Sequence, residues 1–267
     1  MKPVRAFLIQ IVENRTFAGF LSIGFILFVW WLITAGLGLI RPLFLPSPAE
    51  TWDAAWGLMN GSANQVYGGN LFYQTAVSTL RVILGFVIAC LIAVPLGVLA
   101  GLSRAADNLL EPIMQVLQPI PPIAWTPLAI VWFGLNLKAM LFLIVIASFV
   151  SMFINTVVGV REVRPVFARV AASLGGSRLQ TICLVILPAA APMLFTGLRL
   201  SFGRAWITII AAELIAASSG LGYMIMNART ILATGDVITG MVVIGLIGAV
   251  FDRLLLWFER RIYAHRA

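Results

Sequence analysis

Three ionisable side chains, Arg199, Arg204 and Glu213, stand inside one long apolar stretch, and a polar interval just ahead of it carries Arg161, Arg164, Arg169 and Arg178. Charge in an apolar, membrane-length segment is costly, so it faces a protein interior or a wet path, where it meets a partner. At about 3.6 residues per turn, Arg199 and Glu213 fall on roughly one helix face and Arg204 well away from it. Two readings stand for the three: contact with an anionic solute moving along a path, or ion pairing, snorkelling and hydrogen bonding between helices.

Several chemistries lack their residues. A phosphate-cradling G-x-x-x-x-G-K-[ST] loop needs a lysine, and the only lysines, Lys2 and Lys138, sit in no such pattern. His265 is the single histidine, which removes histidine-cluster metal ligation and a Ser-His-Asp triad. Cys90 and Cys183 are far apart and have no C-x-x-C spacing. The expectation is a chain with no catalytic residues, no metal, no cofactor of its own and no ATP hydrolysis of its own.

The elements that position these residues are set by composition. Hydrophobic residues make up 61% and charged residues 10%, with a mean hydropathy of +1.02, against roughly 25% charged in soluble domains. That describes an integral membrane protein built of helices, which satisfy their backbone groups internally in lipid. The predicted fold class is all-α with six transmembrane helices, at about 17–39, 75–102, 112–135, 139–160, 187–217 and 237–258. Short external helices are predicted at 48–59 and 223–232, and Arg81 is expected to reach outward to the interface. The chain then divides into an N-terminal cytoplasmic segment 1–16, a six-helix transmembrane bundle 17–258 and a cytoplasmic tail 259–267. The formal charge of +8 does not point to nucleic acid, because twelve basic residues lie on one set of alternate loops and only Arg41, Lys138 and Arg229 on the other. That asymmetry puts both termini in the cytoplasm.

Two stretches break the pattern of plain spans. In the third segment, PIPPIAWTP places Pro119, Pro121, Pro122 and Pro127 within nine residues. Each removes a backbone donor, and such a break is tolerated at membrane depth only where it is buried in protein or lines a wet cavity. Pro121, Pro122 and Trp125 thereby join Arg199, Arg204 and Glu213 as candidates for the lining of a path. For Trp125, Trp132 and Trp206, a gate stands against core packing or an interfacial belt. The second stretch, 161–188, is predicted to hold a helix over 165–174 ended by Gly175-Gly176 with left-handed backbone angles, before Leu187-Pro188 opens the next span. Small Ala171, Ala172 and Ser173 permit close approach of another protein; the competing reading is an amphipathic helix anchored at the interface.

The same stretch carries a resemblance. Membrane subunits of bacterial ATP-binding-cassette importers have E-A-A-x3-G-x9-I-x-L-P at this point. Arg169, Val170, Ala171, Gly175, Val185, Leu187 and Pro188 keep its spacing, with Arg169 in place of the acid. PLFLPSPAETW, PIPPIAWTPLAIVWFG, TGLRLSFGRAW, AAELIAASSGLGYMI and DRLLLWFERR are similar to stretches of taurine, alkanesulfonate and nitrate importer permeases, so the resemblance runs from Phe17 to Arg261. It implies a type I importer permease of the bacterial inner membrane, coupled through Arg169, Val170, Ala171, Ala172, Ser173, Leu174, Gly175, Gly176, Leu187 and Pro188. It implies as partners a second copy of the chain, two ATPase subunits holding ATP and Mg, and a periplasmic solute-binding protein. The implied solute is small and anionic or zwitterionic, such as taurine or another sulfonate, with nitrate or an aromatic acid as alternatives. A stand-alone carrier or a membrane enzyme is the reading from another class. The enzyme is disfavoured by the missing paired carboxylates and histidines.

Overall fold

The computed structural model describes residues 15–62 and 64–263. The segment expected at 1–16 falls almost wholly outside them, as does the end of the tail, 264–267. All regular structure among the described residues is helical: α1 Arg15–Trp31, α2 Pro48–Asn60, α3 Asn64–Tyr67, α4 Leu71–Leu102, α5 Arg104–Leu117, α6 Thr126–Phe133, α7 Leu137–Glu162, α8 Pro165–Ser173, α9 Arg178–Thr181, α10 Leu187–Ala216, α11 Leu221–Thr230 and α12 Thr234–Tyr263. The described residues form two compact units, divided between 71 and 72, 224 and 225, and 241 and 242, the first and third stretches making one unit and the second and fourth the other.

In the first unit, α1 runs on through a π-helical turn, Leu32–Gly36. Phe25, Ile26 and Phe28 on it are exposed, as a lipid-facing span requires. The proline-rich PLFLPSP segment ends in a capping box. The Ser47 hydroxyl accepts from the Glu50 amide and the Glu50 carboxylate accepts from the Ser47 amide, with Pro48 in the first turn of α2. This helix docks on the start of α12, where the Thr239 hydroxyl donates to the Thr51 carbonyl at 3.2 Å. Nearby, the Tyr67 hydroxyl donates to Asp236 at 2.6 Å.

In the second unit, α7 is the central helix, with both Leu143–Ile144 and Met152–Phe153 buried. It meets α4 across glycines. A Cβ on Gly85 would lie 2.6 Å from Ile144 Cγ2, one on Gly97 2.7 Å from Thr156 Cβ, and one on Gly101 2.7 Å from Val160 Cβ. Such contacts are how membrane helices gain packing without a hydrophobic driving force between them. The order of the contacts shows that α4 and α7 run parallel, since rising numbers on one meet rising numbers on the other. The opposite order holds for α10, where Gly159 meets Met193 and Gly197 meets Asn155, so α10 is antiparallel to α7.

Parallel α4 and α7 fix the span count. Among the described residues five helices are long and apolar enough to cross a membrane, and α5 with Pro122–Phe133 forms a pair bent by 89°. The chain leaves α4 at one end and must re-enter α7 at the other, so the bent pair carries it back and is the remaining span. Introducing Val at Gly97 is expected to push α4 off α7 and cost at least about 1–3 kcal/mol, the usual penalty of overpacking. Thermal unfolding in detergent reads this, and an unchanged melting temperature would contradict the close approach.

Some boundaries differ from expectation. The interval 103–111, left between the spans expected at 75–102 and 112–135, is the beginning of α5, capped by the Ser103 hydroxyl, which accepts from the Ala106 amide. Helix α12 runs to Tyr263, so residues 259–263 of the expected tail prolong the last span's helix. The fifth span begins at Arg178 instead of Leu187. Ser177 and Gln180 form a capping box there, and a π-helical turn, Ile182–Ile186, leads into Leu187. Pro188 cannot donate to the ladder, and the wider turn just before it lets the helix pass through.

Candidate functional site

Helix α8 sits on the connection between α7 and the fifth span, and it buries none of its residues. Val166, Val170 and Leu174 recur every fourth residue, hence on one face, and are 39%, 52% and 83% exposed. Arg169 is exposed beside them. The C-terminus closes as a Schellman motif: the Gly176 amide donates to the Ala171 carbonyl and the Gly175 amide to the Ala172 carbonyl, both at 3.0 Å. Gly175 has φ +81°, and a Cβ on Gly176 would lie 2.9 Å from the Ala171 oxygen. Only Gly175 takes the left-handed conformation expected of the pair; Gly176 is needed for space. Ala171 is half-buried, while Ala172 and Ser173 are exposed, the Ser173 hydroxyl donating back to the Arg169 carbonyl at 3.0 Å. Leu187 and Pro188 lie on the helix beyond the π turn, half-buried.

The broken span opens a cavity of about 240 Å³, lined by residues 117–122 and by Ile146, Ala147, Val150, Arg204, Ile207 and Thr208. Pro121, Pro122 and Arg204 are therefore brought together. Trp125 packs elsewhere, against the cluster of Ala129, Ala139, Leu143 and Ala212, with its ring edge-on to Phe142 at 6.4 Å. Trp206 is buried, its indole donating to the Ile244 carbonyl at 3.1 Å.

Arg199 and Glu213 each have another partner. Arg199 pairs with Asp252 of α12, both side chains nearly half exposed. Glu213 is buried, 1% exposed, and its carboxylate accepts from Arg81 at 2.7 Å, the Ser78 hydroxyl at 2.7 Å and the Gly222 amide at 3.1 Å. Arg81 therefore turns inward, against the expectation that it reaches the interface, because an unpaired carboxylate at this depth is costlier than a curled guanidinium. It also donates to the Ser219 carbonyl at 2.7 Å and to the Ser219 hydroxyl at 2.8 Å. Gln74 accepts from the Gly220 amide and Ser78 from the Leu221 amide. The turn between α10 and α11 is thus clamped onto one face of α4. Gly220, φ +112°, lies over the carboxylate, where a Cβ would sit 2.3 Å from Glu213 Oε1. Sequence reading missed Gln74 and Ser78, although with Arg81 they recur at intervals of four and three, the spacing of one helix face. Gln118 and Thr208 of the cavity were missed as well; neither carries a signal beyond being polar.

This arrangement of a bent span, a central helix and an exposed loop helix is the type I ABC importer permease fold. It matches a chain of the MetNI methionine ABC transporter in inward-facing conformations, with a TM-score of 0.54 at 17% identity over 67% of this chain and 92% of that one. It also matches a chain of an amino acid ABC transporter with histidines, with a TM-score of 0.56 at 20% identity over 70% and 92%. The chain belongs to the family of binding-protein-dependent transport system inner membrane components, whose model matches residues 93–263. It is 39% identical to the taurine transport system permease protein TauC of Escherichia coli, over 91% of this chain and 88% of that one. It is 35% identical to the putative aliphatic sulfonates transport permease protein SsuC of Bacillus subtilis, over 88% and 83%. With the bicarbonate transport system permease protein CmpB of Synechococcus elongatus the identity is 39%, over 71% and 69%. The protein is an ABC importer permease subunit, a multi-pass inner membrane transport component.

Proposed function

We propose that the chain forms, with a second copy of itself, the translocation path of an ATP-driven importer for a small anionic or zwitterionic solute, a sulfonate such as taurine in the first instance. One observation carries this reading: α8 and its C-cap carry an apolar stripe, Val166, Val170 and Leu174, that its own fold leaves uncovered. A helix with no core of its own is kept in shape by its cap and by what docks on it. The docking partner is an ATP-binding-cassette subunit that holds ATP and Mg on the cytoplasmic side, where both termini also lie, and a solute-binding protein delivers the solute from the other face. Closure of the ATPase pair on nucleotide moves α8 as a rigid body and shifts the spans between two openings, each favoured by its own contacts. The taurine and sulfonate relatives support the substrate class, and the bicarbonate relative supports a small carboxylate-like anion as the second choice.

The test is purification of the tagged full chain from its native membranes in mild detergent. We expect two copies with two ATPase subunits, and proteoliposome uptake of radiolabelled taurine or bicarbonate that requires both Mg-ATP and the binding protein. Uptake by the chain alone, without nucleotide, would return the stand-alone carrier in its place.

A further inference from the structure

We infer that Arg204, with Gln118 and Thr208, forms a mid-membrane relay site for a small oxyanion, a sulfonate or carboxylate, at the break in the third span. The inference rests on the translocation reading above and assigns it a residue. Depth comes first. The residues of α7 that line the cavity, Ile146, Ala147 and Val150, lie at the middle of a helix running Leu137–Glu162. Arg204 therefore opens onto the cavity near the membrane centre, where a guanidinium facing lipid is strongly disfavoured.

Charge comes second. The other acids near its helix are engaged, Glu213 with Arg81 and Asp252 with Arg199. Among the described residues no carboxylate lines the cavity, and Arg204 is the one ionised group in its lining. The broken backbone at 118–121 belongs at this depth only where it is buried in protein or lines a wet cavity; Gln118 and Pro119 are exposed, and the stretch lines a cavity of about 240 Å³, room for several waters. A solute of a few heavy atoms fits with part of its hydration. The planar fork of an arginine matches the oxygens of a carboxylate or sulfonate better than the point charge of a lysine does. The Gln118 amide and Thr208 hydroxyl offer neutral partners for the solute's other end. Arg199 is unsuited to the role because its charge is already met.

A test that does not depend on the natural solute uses Ile207, which lines the same cavity and is 72% exposed. In a full-length chain carrying Cys90→Ala and Cys183→Ala, Ile207→Cys is treated with sulfonatoethyl and trimethylammonioethyl methanethiosulfonates. Each rate is divided by that reagent's rate with a free thiol. With Arg204 present, we expect the sulfonate reagent to be favoured about tenfold or more; with Arg204→Gln the preference falls to near one, and Arg204→Lys keeps part of it. Failure of both reagents to react, or an equal preference with and without Arg204, overturns the site. Co-purification of the ATPase with the same variants, scored separately, tells a failed site from a failed permease reading. Taurine uptake by the assembled Arg204→Gln complex is expected to drop at least tenfold, and uptake within twofold of the parent also overturns the proposal.

Discussion

Replacing Arg81 with Gln lowers the stability of the chain by about 3–5 kcal/mol, the range for breaking a buried ion pair by removing one partner. Glu213 has no access to solvent, and its Arg81 partner is only 13% exposed. Without the guanidinium, the carboxylate keeps the Ser78 hydroxyl and the Gly222 amide, which is too few donors for a charge in an apolar surround. The Ser219 carbonyl and hydroxyl lose their donor in the same stroke. The double variant Arg81→Gln with Glu213→Gln removes both charges at nearly constant volume and is expected to recover more than half of the loss. A double-mutant cycle by thermal unfolding in detergent reads the coupling. Additive losses, or an Arg81→Gln chain as stable as the parent, would show that the pair does not hold the turn after α10.

The fold was legible where physics acts over a short range. Apolar length placed the span ends to within a turn or two, except the starts of the third and fifth spans, Pro119, Pro121, Pro122 and Pro127 marked the break, and Gly175 marked the end of α8. The misplaced start of the fifth span has a local cause. Pro188 reads as a helix opening, whereas the π turn at Ile182–Ile186 lets a helix already begun at Arg178 run past it, and no single residue announces a π turn. Partner choice was the harder part. Glu213 has Arg81 as its partner from more than a hundred residues away, and Arg199 has Asp252. Helical periodicity says which face a side chain is on and is silent about which helix lies opposite. The glycine contacts that set α4 parallel to α7 and α10 antiparallel supply that information, and they involve Gly85, Gly97, Gly101, Gly159 and Gly197, residues with no side chain to draw notice. Within the candidate path, Pro121, Pro122 and Arg204 converge on one cavity because the break and the arginine occupy the same depth.

Placing Asp at Val170 and Leu174 together is expected to abolish ATP-driven uptake, by a hundredfold or more, while leaving the fold untouched. The two effects separate because of where the side chains point. Each is more than half exposed and belongs to no buried cluster, so a carboxylate there costs the free chain almost nothing, as surface changes usually do. In the docked complex proposed above the same positions would lie under the partner, and two apolar contacts worth about 2 kcal/mol each at a hot spot correspond to roughly a thousandfold in affinity together. The assay pairs uptake and ATPase stimulation in proteoliposomes with the melting temperature of the isolated chain. Arg169→Glu separates charge from packing: it restores the sign of the motif's usual acid and leaves the apolar stripe intact. A partner surface built for an arginine rejects it, whereas a surface that reads only the stripe keeps at least half of the uptake. If the double Asp chain still imports within twofold of the parent, α8 is a helix lying on the bilayer, and the push that moves the spans enters elsewhere.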